Sequence, residues 1–176
     1  NRDPQSKPLY NDGRVITGLC PVTDFNGNAL YEYGEPNDAE IAQRVENYYT
    51  PYHFKLAQML QETKQQFGKA LLFDAHSIRC VVPGIRPEPF PQLILGDNDG
   101  TSASAEIIET AWNALEGKGY EAQHNHPFKG GQITRFFGQP HTRIHALQLE
   151  MTKTNYMDAT ETHYDEANAS QMRAVL

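Results

Sequence analysis

Two hydrophobic periods take turns along the chain, and the points where one yields to the other predict its elements. Between Asp38 and Phe67 the apolar positions Ile41, Val45, Tyr48, Tyr49, Tyr52, Leu56, Met59 and Leu60 recur at helical spacing. Asp38 is placed to cap this run, with Ala39-Glu40 in its first turn. Pro51 predicts a kink, or two helices meeting near Thr50, and Gly68 supplies the stop. A short apolar strand, Lys69–Phe73, follows at once. Leu93-Ile94-Leu95-Gly96 reads as another strand, and Ser102 or Ser104 opens a second helix to about Glu116 that buries Ile107, Ile108, Ala111, Trp112 and Leu115. Tyr120–Asn125, Gln132–Phe137 and Ile144–Glu150 read as strands, and 163–175 as a terminal helix. Residues 81–100 carry Pro83, Pro87, Pro89 and Pro91 and cannot be regular throughout. The first 37 residues, with turn signals at Asp12-Gly13 and Asn26-Gly27, read as an irregular excursion with a short hairpin at Asn26-Gly27, packed by Tyr10, Phe25, Tyr31 and Tyr33. Strands separated by helices point to an α/β sandwich with a mixed sheet.

Composition narrows the picture. The 176 residues, 39% hydrophobic and 21% charged, suffice for one sizeable core and predict a single domain over 1–176. No apolar run approaches the roughly 20 residues of a membrane helix, and no basic start followed by an apolar core suggests a leader. The opening Asn1-Arg2-Asp3-Pro4, without an initiator Met, reads as the interior of a longer polypeptide. A formal net charge of −7 argues against nucleic acid and anionic membranes as partners, so an anionic ligand would need a local cluster of Arg and Lys. Cys20 and Cys80 lack C-x-x-C spacing, which implies neither a disulfide framework nor a structural zinc cluster and suits a reducing cytoplasm.

Four places could carry chemistry. In Leu71-Leu72-Phe73-Asp74-Ala75-His76-Ser77-Ile78-Arg79 an apolar strand ends in polar residues, and alternation puts Asp74 and His76 on one face, about 7 Å apart along the strand. Ligands gather beyond the carboxyl ends of strands in open α/β sheets, so this is a candidate metal or proton-transfer site; the plainer reading is a core strand ending in a solvated His. In Ile144–Glu150, Ala146, Gln148 and Glu150 share one face and His145, Leu147 and Leu149 the other. A carboxylate so placed could take a proton from water near a bound metal and pass it to a leaving amine, or be a solvated strand end. Of the cations Arg2, Arg79, Lys129, Arg135 and Arg143, Arg79 and Arg135 stand at predicted strand edges, where a guanidinium could grip a carboxylate by two parallel bonds. Lys129-Gly130-Gly131 sets flexible amides beside a cation. His124 and His126 could chelate a metal or be ordinary exposed residues. No phosphate-binding loop, serine-nucleophile elbow or zinc-protease helix motif is present.

Taken together, Asn1-Arg2, Thr17-Gly18-Leu19-Cys20-Pro21, Asp74–Arg79, Asn98-Asp99-Gly100, Phe128-Lys129-Gly130-Gly131-x-Ile133-Thr134-Arg135, His145–Glu150 and Asn155-Tyr156-Met157-Asp158 closely resemble the N-formylglutamate amidohydrolase family, in one consistent order from residue 1 to about Asp158. The resemblance implies a three-layer α/β/α sandwich with a mixed sheet, related to the zinc carboxypeptidases and aspartoacylases and missing its N-terminal part. It implies hydrolysis of N-formyl-L-glutamate to glutamate and formate in histidine degradation, in the cytoplasm. It makes His76 a zinc ligand (for Zn2+ or a similar divalent metal) and Glu150 the activator of the attacking water. Asn1 and Arg2 become the grip on a substrate carboxylate, with Arg79, Lys129, Thr134 and Arg135 as further substrate-binding residues. The family's other metal ligands lie upstream of residue 1, so this chain alone is expected to be inactive. Two alternatives remain: a hydrolase of another N-acyl amino acid, and a non-catalytic module binding an acidic amino acid or a partner.

Overall fold

The protein is described from a computed structural model covering residues 19–24 and 27–176. Its chain forms two compact units, divided between Met59 and Leu60.

In the first unit, an antiparallel bridge pairs Thr23 with Ala29 around a turn containing Gly27, where the hairpin was expected. Phe25, Asn26 and Tyr10 lie outside the described residues. Of the aromatics meant to pack this region, Tyr31 accepts a hydrogen bond from Arg44 Nη1 at 2.9 Å, while Tyr33 is 94% exposed. Helix α1 spans Asp38–Arg44, and its cap is Asn37, one residue earlier than expected, whose Oδ1 accepts from the Glu40 amide. A π-helical turn over Val45–Tyr49 leads into α2, Thr50–Phe67. The expected break near Thr50 is therefore a widened turn. Pro51 has no N–H to return to the preceding turn, and the Thr50 N–H already reaches Val45 rather than Glu46.

The second unit is built on a four-stranded mixed sheet in the order β1-β4-β2-β3. Its strands are β1, Ala70–Ile78; β2, Leu93–Gly96; β3, Ala122–His124; and β4, Ile144–Thr152. β1 runs parallel to β4, β4 antiparallel to β2, and β2 parallel to β3. Strand β1 is longer than its apolar run, because its polar half pairs with β4 as fully as its apolar half. On one face of the sheet Leu93, Leu95, Leu147 and Leu149 pack with helix α3 (Ala105–Leu115) and with Met172 of helix α5 (Glu166–Arg173). On the other, Ile94 joins Val82 and Phe90, with Ile78, Ile85 and Phe128 against them.

One expected strand is a helix. Gln132–Phe137 forms α4, a short helix between Gly131 and Gly138. Its buried residues, Ile133, Thr134 and Phe137, follow a helical rather than an alternating period. Ile133 and Phe137, four positions apart, satisfy both templates, and here packing decided.

Candidate active site

His76 and Glu150 are register partners on neighbouring strands. Strands pair about 4.8 Å apart, and register partners present their side chains to the same face, so two residues remote in sequence converge. Asp74 and Gln148 form the pair two positions earlier on that same face. Because β4 lies between β1 and β2, its polar residues are covered: Gln148 is 6% exposed and Glu150 8%.

Asp74 Oδ1 meets His76 Nε2 at 3.0 Å. That hydrogen bond holds the imidazole's pKa above its usual value, against the opposing effect of burial. In the neutral ring it also assigns the proton to Nε2 and leaves Nδ1 as the lone-pair nitrogen. Glu150 is perturbed more strongly. Burial pushes its carboxyl up to about 7, the nearby Asp74 charge adds to this, and His76 opposes both. Among the described residues Glu150 Oε1 is buried with no hydrogen-bond partner. Such an atom costs desolvation without return, and sites keep it for a ligand or a proton.

A glycine-rich loop crosses the same face. The Gly131 amide donates to Gln148 Oε1 at 2.6 Å, and Arg135 Nη1 donates to the Gly130 carbonyl at 2.8 Å. The loop runs so close to β2 that a Cβ on Gly96 would lie 2.6 Å from the Gly130 nitrogen and 2.7 Å from the Lys129 carbonyl carbon. Gly130 itself has φ of +103°, and a Cβ there would lie 2.9 Å from the Thr134 side chain. No sequence signal singled out Gly96, since a glycine demanded by another backbone passing over it looks like any strand end.

The remaining expected site residues are distributed unevenly. Asn1 and Arg2 lie outside the described residues. Thr134 is fully buried, with an Oγ1 that has no hydrogen-bond partner among the described residues. Lys129 is exposed and pairs with Asp99 at 2.7 Å. Arg79 stands one residue beyond β1, and its Nε donates to Glu161 Oε2 at 2.9 Å; the other Glu161 oxygen accepts from the Cys80 amide. The three downstream cations are thus each engaged by protein groups: Arg79 by a carboxylate, Lys129 by a carboxylate and Arg135 by a carbonyl.

His124 and His126 form no chelating pair. His124 Nε2 meets Asp97 Oδ2 at 2.7 Å, its ring stacks on Trp112, and Asn125 between the two has φ of +55°. Asp97 is fully buried. Burial alone would raise its pKa, but hydrogen bonds from Asn125, the Gly100 amide and His124 outweigh it and the net shift is downward.

Comparison with known proteins bears on this arrangement. A family model described as N-formylglutamate amidohydrolase matches residues 1–157. The chain belongs to the N-formylglutamate amidohydrolase family. Similar proteins include the N-formylglutamate deformylase of Pseudomonas aeruginosa, 44% identical over 162 residues, and that of Pseudomonas putida, 39% identical over 179. These alignments cover 90% and 100% of this chain but 59% and 66% of the relatives' own length. Among solved structures, the N-formylglutamate amidohydrolase from Ralstonia eutropha JMP134 superposes with a TM-score of 0.67 at 30% identity, covering 78% of this chain and 52% of that one. The α/β fold with a mixed sheet is therefore that of an N-formylglutamate amidohydrolase.

The donor set fits one side of a divalent-metal site. A histidine whose far nitrogen is bonded to a carboxylate is the usual form of a metal-ligating imidazole, and the partnerless Glu150 Oε1 lies beside it. Among the described residues no three His, Cys, Asp or Glu side chains gather as a complete ligand set.

Proposed function

We propose that this chain carries part of the active site of a zinc-dependent deformylase, which hydrolyses the formamide bond of N-formyl-L-glutamate to L-glutamate and formate in histidine degradation. The observation that supports this most directly is the His76–Glu150 register pair with its buried, partnerless carboxyl oxygen. The relatives named N-formylglutamate deformylase support the choice of substrate. Cys20 and Cys80, both free thiols, suit a cytoplasmic enzyme.

Zinc would be held by His76 through Nδ1, with further donors from residues other than those described. Bound there, it would polarise the formyl carbonyl and lower the pKa of water. Glu150 supplies the proton transfers. Its Oε1 accepts a proton from the water that attacks the formyl carbon, then returns it to the amide nitrogen as the C–N bond breaks, leaving formic acid and a neutral amine. The acid's remaining proton then passes to the nitrogen, giving formate and an ammonium group. A carboxyl poised at about 7 suits both steps, since acid–base catalysis is most effective with a pKa near the working pH. Asp74 keeps the His76 ring in one orientation throughout. Asn1 and Arg2 are assigned the substrate carboxylate grip on the strength of the resemblance.

The test is formate release from N-formyl-L-glutamate by this chain joined to the upstream residues that the resemblance credits with the remaining metal ligands. Zinc is supplied, and the same reaction is run after chelation; wild type and variant are both of that length. Glu150→Gln should lower turnover by about 10²–10⁴-fold with metal content, read by elemental analysis, unchanged. Loss of metal in that variant would make Glu150 a ligand instead. Wild-type protein that releases formate equally well after chelation would overturn the zinc assignment, and one that releases none would overturn the reaction.

A further inference from the structure

Gln148 has one end of its carboxamide fixed and the other uncommitted. A backbone N–H can only donate, so the atom facing the Gly131 amide at 2.6 Å must be Oε1. The carboxamide cannot flip without setting two donors against each other. Its Nε2 therefore points away from the glycine loop, on the face that Gln148 shares with Asp74, His76 and Glu150. Nε2 makes no hydrogen bond among the described residues.

The surroundings look built to hold this orientation. Gly131 is pinned because the loop before it lies directly on Gly96, where no side chain would fit, and because Arg135 grips the Gly130 carbonyl. Gly96 is in turn the register partner of Gln148 on β2. A glutamine with only 6% exposure in a central strand costs desolvation that an apolar residue would avoid. One satisfied oxygen offsets half of that cost, and a ligand oxygen on Nε2 would offset the rest.

We infer that Gln148 is a ligand-contacting residue whose Nε2–H donors hold a carbonyl or carboxylate oxygen of the bound N-acyl amino acid beside His76 and Glu150, with Gly131 fixing its orientation. The ligand class rests on the deformylase reading; the donor does not. On this view Arg135 is a positioning residue that acts on the ligand through the loop.

The experiment follows the side-chain amide signals of Gln148 by ¹⁵N NMR in the wild-type chain, with N-formyl-L-glutamate, L-glutamate and formate added separately. The Gln148→Glu variant identifies those signals by their loss. It is informative because a carboxylate still accepts from Gly131 but offers no donor. The expected result is a shift of the Gln148 signals on adding N-formyl-L-glutamate, and at least about 10-fold weaker binding in Gln148→Glu by calorimetry. The Gly131 backbone amide should keep its position in that variant. A response to L-glutamate alone identifies a carboxylate as the acceptor, and a response to formate identifies the formyl end. Unmoved Gln148 signals at saturation, equal affinity in Gln148→Glu, or no binding by the wild type would each overturn the inference. Binding with these shifts, but no formate release even when the chain is joined to the upstream residues credited with the other metal ligands, would refute the deformylase reading and leave the donor role standing.

Discussion

Asp74 decides which nitrogen of His76 carries the proton, and so which one can meet a metal. Replacing it with Asn leaves a group that can present either an oxygen or an NH₂, and the imidazole loses its fixed orientation. On the proposed zinc assignment, Asp74→Asn in a protein that also carries the remaining metal ligands should therefore weaken zinc binding about 10–100-fold, measured by competition with a chromophoric chelator, while leaving the fold in place. Asp97 carries a different load. Its buried carboxylate ties the turn after β2 to Asn125 and His124, so Asp97→Ala should cost about 1.5–3 kcal/mol in urea unfolding. The pH dependence follows from the sign of its shift. A folded-state pKa below the ordinary 3.8 means stability present above that value and lost as pH falls through the depressed one. The wild type should thus lose more stability than Asp97→Asn between about pH 5 and about pH 2. At this scale the sequence was partly legible. Alternation alone put Asp74 beside His76 and Gln148 beside Glu150, because period-2 geometry is local. That Arg79 would be taken by Glu161, more than eighty positions away, left no local trace.

At the scale of elements, β4 was legible because Leu147 and Leu149 alternate with Gln148 and Glu150, whereas Gln132–Phe137 was not. Its apolar pair Ile133 and Phe137, four positions apart, suits a strand face or a helical turn equally, and the glycines at both ends are compatible with either. The start of α3 depends on β4 in a way that pH should expose. His145 Nδ1 accepts from the Ser104 amide at 3.2 Å, a bond open only to the neutral ring. Burial, with Lys69 nearby, lowers the His145 pKa below 6.5. By the same sign rule its contribution is complete above about 6.5 and is lost as pH drops through the lowered folded-state value. His145→Asn, whose amide oxygen can take the same N–H, should flatten the thermal-stability profile below about pH 6.5, a difference that melting temperatures at stepped pH would show.

Considered as a whole molecule, the second unit leaves one flank of its sheet open among the described strands. β1 has β4 on one side only, and Leu71 and Phe73 are about half exposed beside a groove of about 410 Å³ shared with α3 and the carboxyl terminus. An apolar edge strand invites pairing between molecules. Phe73→Lys should accordingly suppress concentration-dependent light scattering with little effect on the unfolding midpoint, and a large fall in that midpoint would mean that Phe73 is core. The fold class could be read from the order of strands and helices. The strand order could not, because β1 and β4 are parallel neighbours with two strands and two helices between them in the chain.

That parallel pairing bears on how the protein is made. A hairpin cannot join parallel neighbours, so His76 emerges from the ribosome long before the residue that will sit beside it. A nascent chain carries the Asp74–His76 pair without Glu150 until β4 has been synthesised and placed between β1 and β2. The His76–Glu150 pair therefore forms late, through a contact of long sequence separation, the kind of step that folds slowly.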